Sequence, residues 1–430
     1  MIERLRGIVG DAGVRTGEAA ARWAVHGAIP AAVVVPGSVE EAAAVLALAS
    51  AEGWRVEPAG AGTWLGWGRA PGRVDLVVST ARLAEVEAHE PEDLTAVVGA
   101  GLTLGELEAR LTRHGQWLPL DPPRGGAGTV GAAVSLAEAG PLRLAHGTPR
   151  DHVLGLTLVT GDGRVLELGG RVVKNVAGFD LVKLTIGSRG TLGLVCRVAV
   201  RLRPLPERDA TLVVPAAGAE AALDAVAAVR GARVEPAALE LVSPPAAELA
   251  GVPPGAWAVV VRLQGNAEAV ADAEARVGRA VGGGVDALGV DPARALWAAL
   301  GEREAGAALV ARLADWPSAL ADTVAAVLEL PGAAVAWPLL AHAGSGIVRA
   351  AVSADAYSDA AAETWAAALS RARTRLEARG GTLLGARLPA AVVAAGLDPF
   401  GDPGPALRLM QGLRKQFDPA GILAVGRFVV

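Results

Sequence analysis

Bends rich in glycine and alanine are the parts of this sequence whose residue types and spacing could do chemistry. The first, Ala59-Gly60-Ala61-Gly62-Thr63, follows a short strand-like run. Closely spaced small residues let a backbone turn tightly and present several N–H groups to one point, which binds anionic oxygens without a cationic side chain. Taken alone, the segment is also compatible with a plain tight turn.

The spacing does not fit two common phosphate-binding motifs. Leu65 stands at the third glycine position of a Rossmann fingerprint, and no Gly-Lys-Ser/Thr follows as in a Walker loop. Two further bends, at 125–132 and 187–193, lie in the same half of the chain. Several walls of bare backbone suit a long ligand with a pyrophosphate and two flat rings, so the pattern favours a dinucleotide over a mononucleotide.

Composition and charge limit the class of protein. A chain of 430 residues with 52% hydrophobic residues is long enough for two domains. The net charge of -5 gives no electrostatic reason to expect binding to nucleic acid or anionic membranes. The single cysteine, Cys196, excludes an internal disulfide and an iron–sulfur cluster held by this chain alone, and its apolar neighbours predict burial. The charged amino terminus and the proline-broken apolar segment 330–348 favour a cytoplasmic protein without a transmembrane helix.

Alternating strand and helix signals must position the bends. Strands are predicted at 33–35, 55–58, 74–79 and 95–98. Helices are predicted after Ser38 and Thr103, because each precedes a glutamate by three positions in a capping-box pattern. The stretch 121–132 shows no clean period and is too apolar for a solvated linker, so we predict an irregular functional loop there.

The second half of the chain repeats a looser scheme of Ala-rich helices and short strands beyond Pro204-Leu205-Pro206. We therefore predict an α+β protein in four parts. These are an amino-terminal segment at 1–28, a first domain at 29–205, a cap or substrate-type α+β domain at 206–385, and a carboxyl-terminal segment at 386–430.

The order of short motifs in the first domain resembles the FAD-binding domain of the vanillyl-alcohol-oxidase superfamily, which is also called PCMH-type. The motifs include Leu118-Pro119-Leu120-Asp121-Pro122, Thr129-Val130-Gly131-Ala132-Ala133 and Gly147-Thr148-Pro149-Arg150-Asp151. Residues 172–181 are most similar to the FAD-binding subunit of bacterial glycolate oxidases. The tail, with Asp418-Pro419-Ala420-Gly421 and Gly426-Arg427, matches that family's last landmark, except that Ala424-Val425 replaces the usual Asn-Pro.

The resemblance implies an FAD-binding domain of two subdomains, a cap domain, and a carboxyl tail that returns to the FAD domain. It implies pyrophosphate contacts from the backbone of Ala59, Gly60, Ala61, Gly62 and Thr63, and flavin contacts from Pro122, Thr129, Gly131, Ala132 and Ser135. Contacts to the ribityl or adenine end are implied for Gly140, Arg143, Gly147 and Asp151, and backbone contacts to a ring for Gly193 and Val195. The bend at 59–63 lacks the His or Cys that covalent members carry, so we expect non-covalent FAD.

The catalytic residues stay unknown at this stage, with four candidates. Lys174 and Asn175 could hydrogen-bond the flavin or its substrate, or Asn175 could cap a turn. Catalytic relatives carry His-x-Gly-Asp-Gly-Asn-x-His, whose histidines bind a metal; here His342 survives, but Arg349 stands at the second histidine. Because arginine cannot ligate a metal, we expect no metal at this segment. His342 would then be a hydrogen-bonded histidine at a strand end. Arg349 could instead bind a carboxylate through two hydrogen bonds.

Three functions remain open. The first is the FAD-binding subunit of a multi-subunit glycolate or other 2-hydroxy-acid oxidase, with a catalytic flavin subunit and an iron–sulfur subunit as partners. The second is a stand-alone FAD-dependent oxidoreductase for another alcohol or hydroxy acid. The third is a flavin-free assembly subunit, against which the intact glycine bends count.

Overall fold

The computed structural model describes residues 1–170, 179–331 and 339–430. Within these residues the strands form sheets of four, five, two and eight strands, with helices packed against the three larger ones. This arrangement confirms the predicted α+β class. No helix in the described part of the chain is long and apolar enough to cross a membrane.

The first sheet is mainly parallel and carries the first glycine-rich bend. Its strands are β1 (Val14–Arg15), β2 (Ala32–Val34), β3 (Val56–Ala59) and β4 (Leu76–Ser79), in the order β1-β2-β4-β3. The helices are α1 (Ile2–Val9), α2 (Glu18–Ala21) and α3 (Val39–Glu52). The Ser38 hydroxyl accepts a hydrogen bond from the Glu41 N–H at the start of α3, as predicted. Parallel β3 and β4 both end at the same edge, so the chain enters the bend directly from a buried strand.

The second sheet is antiparallel. Its strands are β5 (Val86–Glu90), β6 (Thr95–Gly99), β8 (Val153–Val159), β9 (Val165–Gly169) and β10 (Leu194–Arg201), in the order β5-β6-β10-β8-β9; β7 (Gln116–Trp117) pairs separately with β11 (Arg203–Pro204). The helices are α4 (Leu104–Leu111), α5 (Val130–Leu136), α6 (Arg143–His146), α7 (Pro149–His152) and α8 (Leu181–Thr185). Thr103 and Glu106 form the predicted capping box on α4. Cys196 lies buried in β10, also as predicted.

The prediction of an irregular loop over 121–132 is wrong at its end. Helix α5 begins at Val130, because the Thr129 hydroxyl accepts from the Ala132 N–H and caps the first turn. A short 3-10 turn also covers Gly125–Ala127. Gly131 lies against Ala100, so this position of the helix requires a small residue. The segment therefore shows no large apolar side chains at helical spacing, and its periodicity gives no helix signal.

The third sheet has eight described strands and belongs to the cap. They are β12 (Arg208–Ala216), β13 (Ala238–Val242), β14 (Trp257–Gly265), β15 (Asp286–Leu288), β16 (Ala307–Ala314), β17 (Leu339–His342), β18 (Ile347–Ser353) and β19 (Thr382–Arg387). The helices are α9 (Ala219–Gly231), α10 (Ala267–Ala280), α11 (Val290–Glu302), α12 (Leu320–Leu328), α13 (Ala362–Glu377) and α14 (Ala390–Ala394). The largest apolar core lies between this sheet and its helices.

The carboxyl-terminal segment returns to the first sheet, as the resemblance implied. After helix α15 (Ala406–Phe417), the Val56 N–H donates to the Ile422 carbonyl at 2.8 Å and the Ala424 N–H donates to the Val56 carbonyl at 2.8 Å. The tail therefore extends the edge at β3, directly beside the glycine-rich bend. The domain limits at 29, 206 and 386 stay predictions.

Candidate functional site

A cleft of about 760 Å³ begins where β3 ends, and we call it the first cleft. Its walls come from the bend after β3, from α5, from the turn before β10 and from the carboxyl tail. The lining residues are Glu57, Pro58, Ala59, Gly60, Ala61, Gly62, Thr63, Trp64, Leu65, Trp67, Thr80, Thr129, Gly131, Ala132, Ser135, Leu136, Arg189, Gly190, Gly193, Leu194, Val195 and Arg427.

The bend offers backbone N–H groups to the first cleft. Within the described residues, the N–H groups of 60–63 donate to no other protein group. A Cβ atom on Gly60 would lie 2.0 Å from the Thr129 hydroxyl, and one on Gly131 would lie 2.5 Å from the Ala100 Cβ. Only glycine allows these walls to approach so closely. The arrangement is the nest that an anionic pyrophosphate requires.

A buried ion pair fixes the tail against the bend. Arg427 Nε lies 3.1 Å from Glu57 Oε1, and the Arg427 guanidinium also donates to the Leu65 and Arg69 carbonyls at 2.7 Å each. Burial raises the pKa of Glu57, while the nearby Arg427 charge opposes that shift. Because the guanidinium already has three partners, its main role here is to hold tail and bend together.

The predicted cofactor residues divide into two groups. One group lines the first cleft, and its members are Ala59, Gly60, Ala61, Gly62, Thr63, Thr129, Gly131, Ala132, Ser135, Gly193 and Val195. The other group lies outside that lining, and its members are Pro122, Gly140, Arg143, Gly147 and Asp151. Gly140 donates to Asp121, and Asp151 accepts from the Thr148 N–H in the capping box of α7. The contacts of both groups with FAD stay predictions.

A second cleft adjoins the first and shares Leu136 and Arg189 with it. It encloses about 1070 Å³, including its open mouth. Its lining comes from the first domain, from the cap strands β16 and β19, and from the carboxyl-terminal segment. The residues are Leu136, Ala137, Glu138, Thr148, Arg150, Gly187, Arg189, Arg312, Leu384, Phe400, Pro403, Met410, Phe428 and Val429.

Three arginines line the second cleft, and the exposed one, Arg150, donates to the Lys183 carbonyl at 3.1 Å. Within the described residues, the guanidinium groups of Arg189 and Arg312 make no ion pair. Arg189 instead lies over the rings of Phe400 and Phe428, at 5.1 and 5.7 Å from their centroids. Burial lowers the pKa of both arginines, and the Glu138 charge opposes the shift. Cations held in this way are ready to bind an anion.

The backbone of Arg189 supports a functional reading. Its φ of 55° lies in the left-handed region, which costs free energy for a residue with a Cβ. Such strain is retained mainly where the position of the side chain matters.

Arg349 binds a carboxylate, but that carboxylate belongs to the protein. Its Nε and Nη2 donate to the two oxygens of Glu304 at 2.7 and 2.9 Å, and its Nη1 donates to Glu138 at 3.2 Å. The guanidinium is 1% exposed and also lies 5.5 Å from the centroid of a Trp67 ring. The two arginines around Glu304 lower the pKa of that carboxyl to about 2, against burial. Arg349 thus links the cap to the first domain and lines neither cleft.

His342 is also committed to an internal partner. Its Nδ1 lies 2.8 Å from Glu240 Oε2, and both side chains are buried. Burial lowers the pKa of His342 and raises the pKa of Glu240, so we treat the pair as neutral. His342 lines neither cleft. Lys174 and Asn175, the other two candidates, lie outside the described residues.

Sequence reasoning missed the acidic and basic groups of the second cleft. Glu138 and Arg312 carry no motif, and the chain brings them together from segments far apart in sequence. A weak signal existed for Arg189 alone, because it stands between two glycines of the third bend.

Two sequence families match this chain. Residues 30–169 match the FAD binding domain, and residues 205–386 match the C-terminal domain of FAD linked oxidases. The fold is that of p-cresol methylhydroxylase, whose crystal structure with substrate bound has a TM-score of 0.79 over 99% of this chain and 95% of that one, at 17% identity. An alkyldihydroxyacetonephosphate synthase structure gives a TM-score of 0.72 over 98% of this chain and 83% of its own, at 16% identity.

The fold is therefore of the p-cresol methylhydroxylase type, and residues 30–169, which carry the glycine-rich bend of the first cleft, form an FAD-binding domain. More narrowly, the chain belongs to the FAD-linked oxidoreductases that combine these two domains.

Curated relatives have related names. The chain is 32% identical to the glycolate oxidase subunit GlcD of Bacillus subtilis over 50% of this chain and 46% of that one. It is 35% identical to a D-lactate dehydrogenase of Archaeoglobus fulgidus over 50% and 48%, and 40% identical to the glycolate oxidase subunit GlcE of Escherichia coli over 29% and 36%. The chain thus matches about half the length of the first two relatives, or less of the third.

The first cleft fits FAD on its own geometry. Free backbone N–H groups suit the pyrophosphate, and the glycines that Thr129 and Ala100 touch keep the walls close enough for a flat ring. When bound, FAD supplies a two-electron acceptor. The residues that would hold it are the bend 59–63, α5 and the turn at Gly193.

Proposed function

We propose that this chain binds FAD non-covalently in the first cleft and oxidises a 2-hydroxy acid in the second. Electrons then pass to a partner subunit of a multi-chain glycolate-oxidase-type enzyme. The names of the relatives support a hydroxy acid as substrate and a subunit role. A cytoplasmic location goes with this proposal.

The observation that carries the proposal is that Arg189 and Arg312, beside the first cleft, make no ion pair with any described residue. Arg189 lines both clefts, and Arg312 lines the second. A buried cation is costly unless an anion accompanies it. A substrate carboxylate supplies that anion, and a guanidinium fork orients it by paired hydrogen bonds. The carbon bearing the hydroxyl group is then held next to the first cleft, where FAD is proposed to bind.

Glu138 is the group we assign to accept the hydroxyl proton. Among the described lining residues of both clefts, Glu57 and Glu138 are the carboxylates, and none is a His, Lys, Tyr or Cys. Glu57 is paired with Arg427 in the first cleft, whereas Glu138 lines the second, where substrate would lie. Arg349 holds Glu138 in place through the contact of 3.2 Å. The proton moves from the hydroxyl oxygen to this carboxylate as the 2-oxo acid forms.

A partner is proposed because this chain has little means of its own to relay electrons onward. Its one cysteine, Cys196, is buried, and burial raises the pKa of its thiol to about 12. An iron–sulfur relay held by cysteine thiolates would therefore reside on another polypeptide. Affinity purification of the tagged chain from its native host tests this, and recovery of the chain alone would contradict it.

Dye reduction tests the activity itself. The purified chain, supplied with FAD and an electron-accepting dye, is expected to reduce the dye with 2-hydroxy acids but not with matched alcohols that lack the carboxylate. Acid precipitation is expected to release the flavin into the supernatant, because the binding is non-covalent. Equal rates with acid and alcohol would show that the arginines do not select the substrate.

A further inference from the structure

The second cleft combines a charged region with an apolar wall. The charged side chains are Glu138, Arg150, Arg189 and Arg312, from the first domain and β16. The apolar wall comes mainly from the carboxyl-terminal segment, and its members are Leu384, Phe400, Pro403, Met410, Phe428 and Val429. Arg189 joins the two regions, since its guanidinium lies against Phe400 and Phe428. The rest of a ligand whose carboxylate binds Arg189 would therefore lie next to the rings of Phe400 and Phe428.

The carboxyl-terminal segment is built to hold this wall in place. Phe400 and Phe428 pack edge to face, with centroids 4.9 Å apart. The Arg69 guanidinium donates to the Phe428 carbonyl at 2.7 Å and also pairs with Asp398, next to this wall. The Phe400 N–H donates to Asp398 at 2.8 Å. One aspartate and one arginine thus fix both rings, so the wall is preformed.

The size of the cleft exceeds what the smallest hydroxy acid needs. Ligand pockets for drug-sized molecules span roughly 300–1,000 Å³, and the space enclosed in this cleft is about 460 Å³. Glycolate has no side chain, so it would leave the apolar wall in contact with water. Each methylene group that a longer substrate buries there would increase affinity about fourfold.

We infer that the preferred substrate of the second cleft is a 2-hydroxy acid with an apolar or aromatic side chain, such as 2-hydroxy-4-methylpentanoate or phenyllactate, rather than glycolate. This inference rests on the proposed function and names its substrate class. The carboxylate binds Arg189 and Arg312, and the side chain packs on Phe400, Phe428 and Met410. Bound FAD would supply the acceptor for the hydride from the hydroxyl-bearing carbon, while Glu138 would take the hydroxyl proton, so that a 2-oxo acid and reduced flavin result.

A substrate ladder tests the inference on the purified chain with FAD bound. Initial rates of flavin reduction are measured for glycolate, lactate, 2-hydroxy-4-methylpentanoate, phenyllactate and 2-hydroxyglutarate. We expect kcat/KM for 2-hydroxy-4-methylpentanoate and for phenyllactate to exceed that for lactate by about tenfold or more. Calorimetric binding of acetate and phenylacetate gives a readout that needs no turnover, and phenylacetate is expected to bind at least about tenfold more tightly.

Neighbouring residues on α15 provide a matched control. Met410 lines the cleft, whereas the next residue, Leu409, is 68% exposed and lies outside the lining. Met410→Gln is expected to weaken the binding of phenylacetate and the kcat/KM for phenyllactate by about tenfold more than it lowers the kcat/KM for lactate, and Leu409→Gln is expected to change none of the three.

The outcomes separate the inference from the proposed function. Highest kcat/KM with glycolate or 2-hydroxyglutarate would overturn the inference and leave the proposed function standing. Failure of every hydroxy acid to reduce the flavin, while dithionite reduces it, would overturn the proposed function. Equal effects of Met410→Gln and Leu409→Gln would show that the wall does not contact the substrate.

Discussion

The two clefts of this protein are built from different materials. The first is lined largely by backbone and small side chains, and its one ion pair, Glu57 with Arg427, is internally satisfied. The second is lined by long side chains, including Arg189 and Arg312, for which the described residues supply no ion-pair partner. A site that binds one invariant cofactor can use backbone N–H groups, whereas a site that selects among substrates uses side chains.

The same contrast separates two kinds of arginine. Arg349 makes two bonds to Glu304 and one to Glu138, so its charge is neutralised within the protein. Arg312 lines the second cleft, and no residue that the structure describes forms an ion pair with it. Paired charges hold domains together, and the unpaired ones leave binding capacity for a ligand. The following predictions are ordered from the largest expected effect to the smallest.

Glu138→Gln should have the largest effect, because it removes the proton acceptor while preserving shape. We expect kcat for flavin reduction by a 2-hydroxy acid to fall by roughly 100- to 10,000-fold, with flavin content unchanged. Glu220→Gln, at an exposed helix start, is the matched control. A loss of less than about fivefold would remove Glu138 from the chemistry.

Arg349→Met should destabilise the fold by about 3–5 kcal/mol, because it leaves buried Glu138 without its ion-pair partner and buried Glu304 with Arg303 alone. Urea unfolding of the holoprotein measures this loss. Arg312→Met is the informative counterpart, since the described structure gives it no ion pair to break; it should lower the free energy of unfolding by less than about 1 kcal/mol. Equal losses for the two variants would contradict the distinction between paired and unpaired arginines.

Gly60→Ala should weaken FAD binding about 10- to 100-fold, since the new Cβ would collide with Thr129 at 2.0 Å and overpacking costs about 1–3 kcal/mol. Fluorescence titration of the apoprotein with FAD measures the affinity. Gly72→Ala is the control, because a Cβ there meets nothing within 4 Å. If both variants bind FAD as the wild type does, the bend is not the pyrophosphate site.

Titration of His26, which is partly buried, should have the smallest effect. Burial and then the charges of Arg427 and Arg387 lower its pKa to about 4. As pH falls from about 6.5 towards 4, the unfolded chain takes up a proton that the folded one refuses, so the free energy of unfolding decreases, by about 1 kcal/mol.

The variant His26→Asn isolates this contribution. Asparagine tolerates the positive φ of 48° at this position and does not titrate. Thermal melts from pH 4 to pH 7 should therefore show a smaller pH dependence in the variant. His114→Asn, on an exposed side chain, is the control. An unchanged pH dependence in His26→Asn would place the titrating group elsewhere.

Sequence reasoning reached the first cleft and not the second for a physical reason. A backbone nest is local, so residues 59–63 and the cap at Thr129 leave a pattern of small residues and capping signals in the chain. The second cleft combines residues of two predicted motifs, Thr148 and Arg150 in one and Gly187 and Arg189 in the other, with side chains from β16, β19 and the carboxyl-terminal segment that have no periodic or compositional mark. The family resemblance named His342 and Arg349, and the fold turned both towards internal carboxylates.

The most direct test of this account is anaerobic mixing of the FAD-bound chain with a 2-hydroxy acid while the visible absorption of the flavin is followed. We predict that the flavin band bleaches, and that Arg312→Met needs roughly 10- to 100-fold more substrate to bleach at the same rate because a charged hydrogen bond is lost. A flavin that dithionite reduces but no 2-hydroxy acid does would contradict the account.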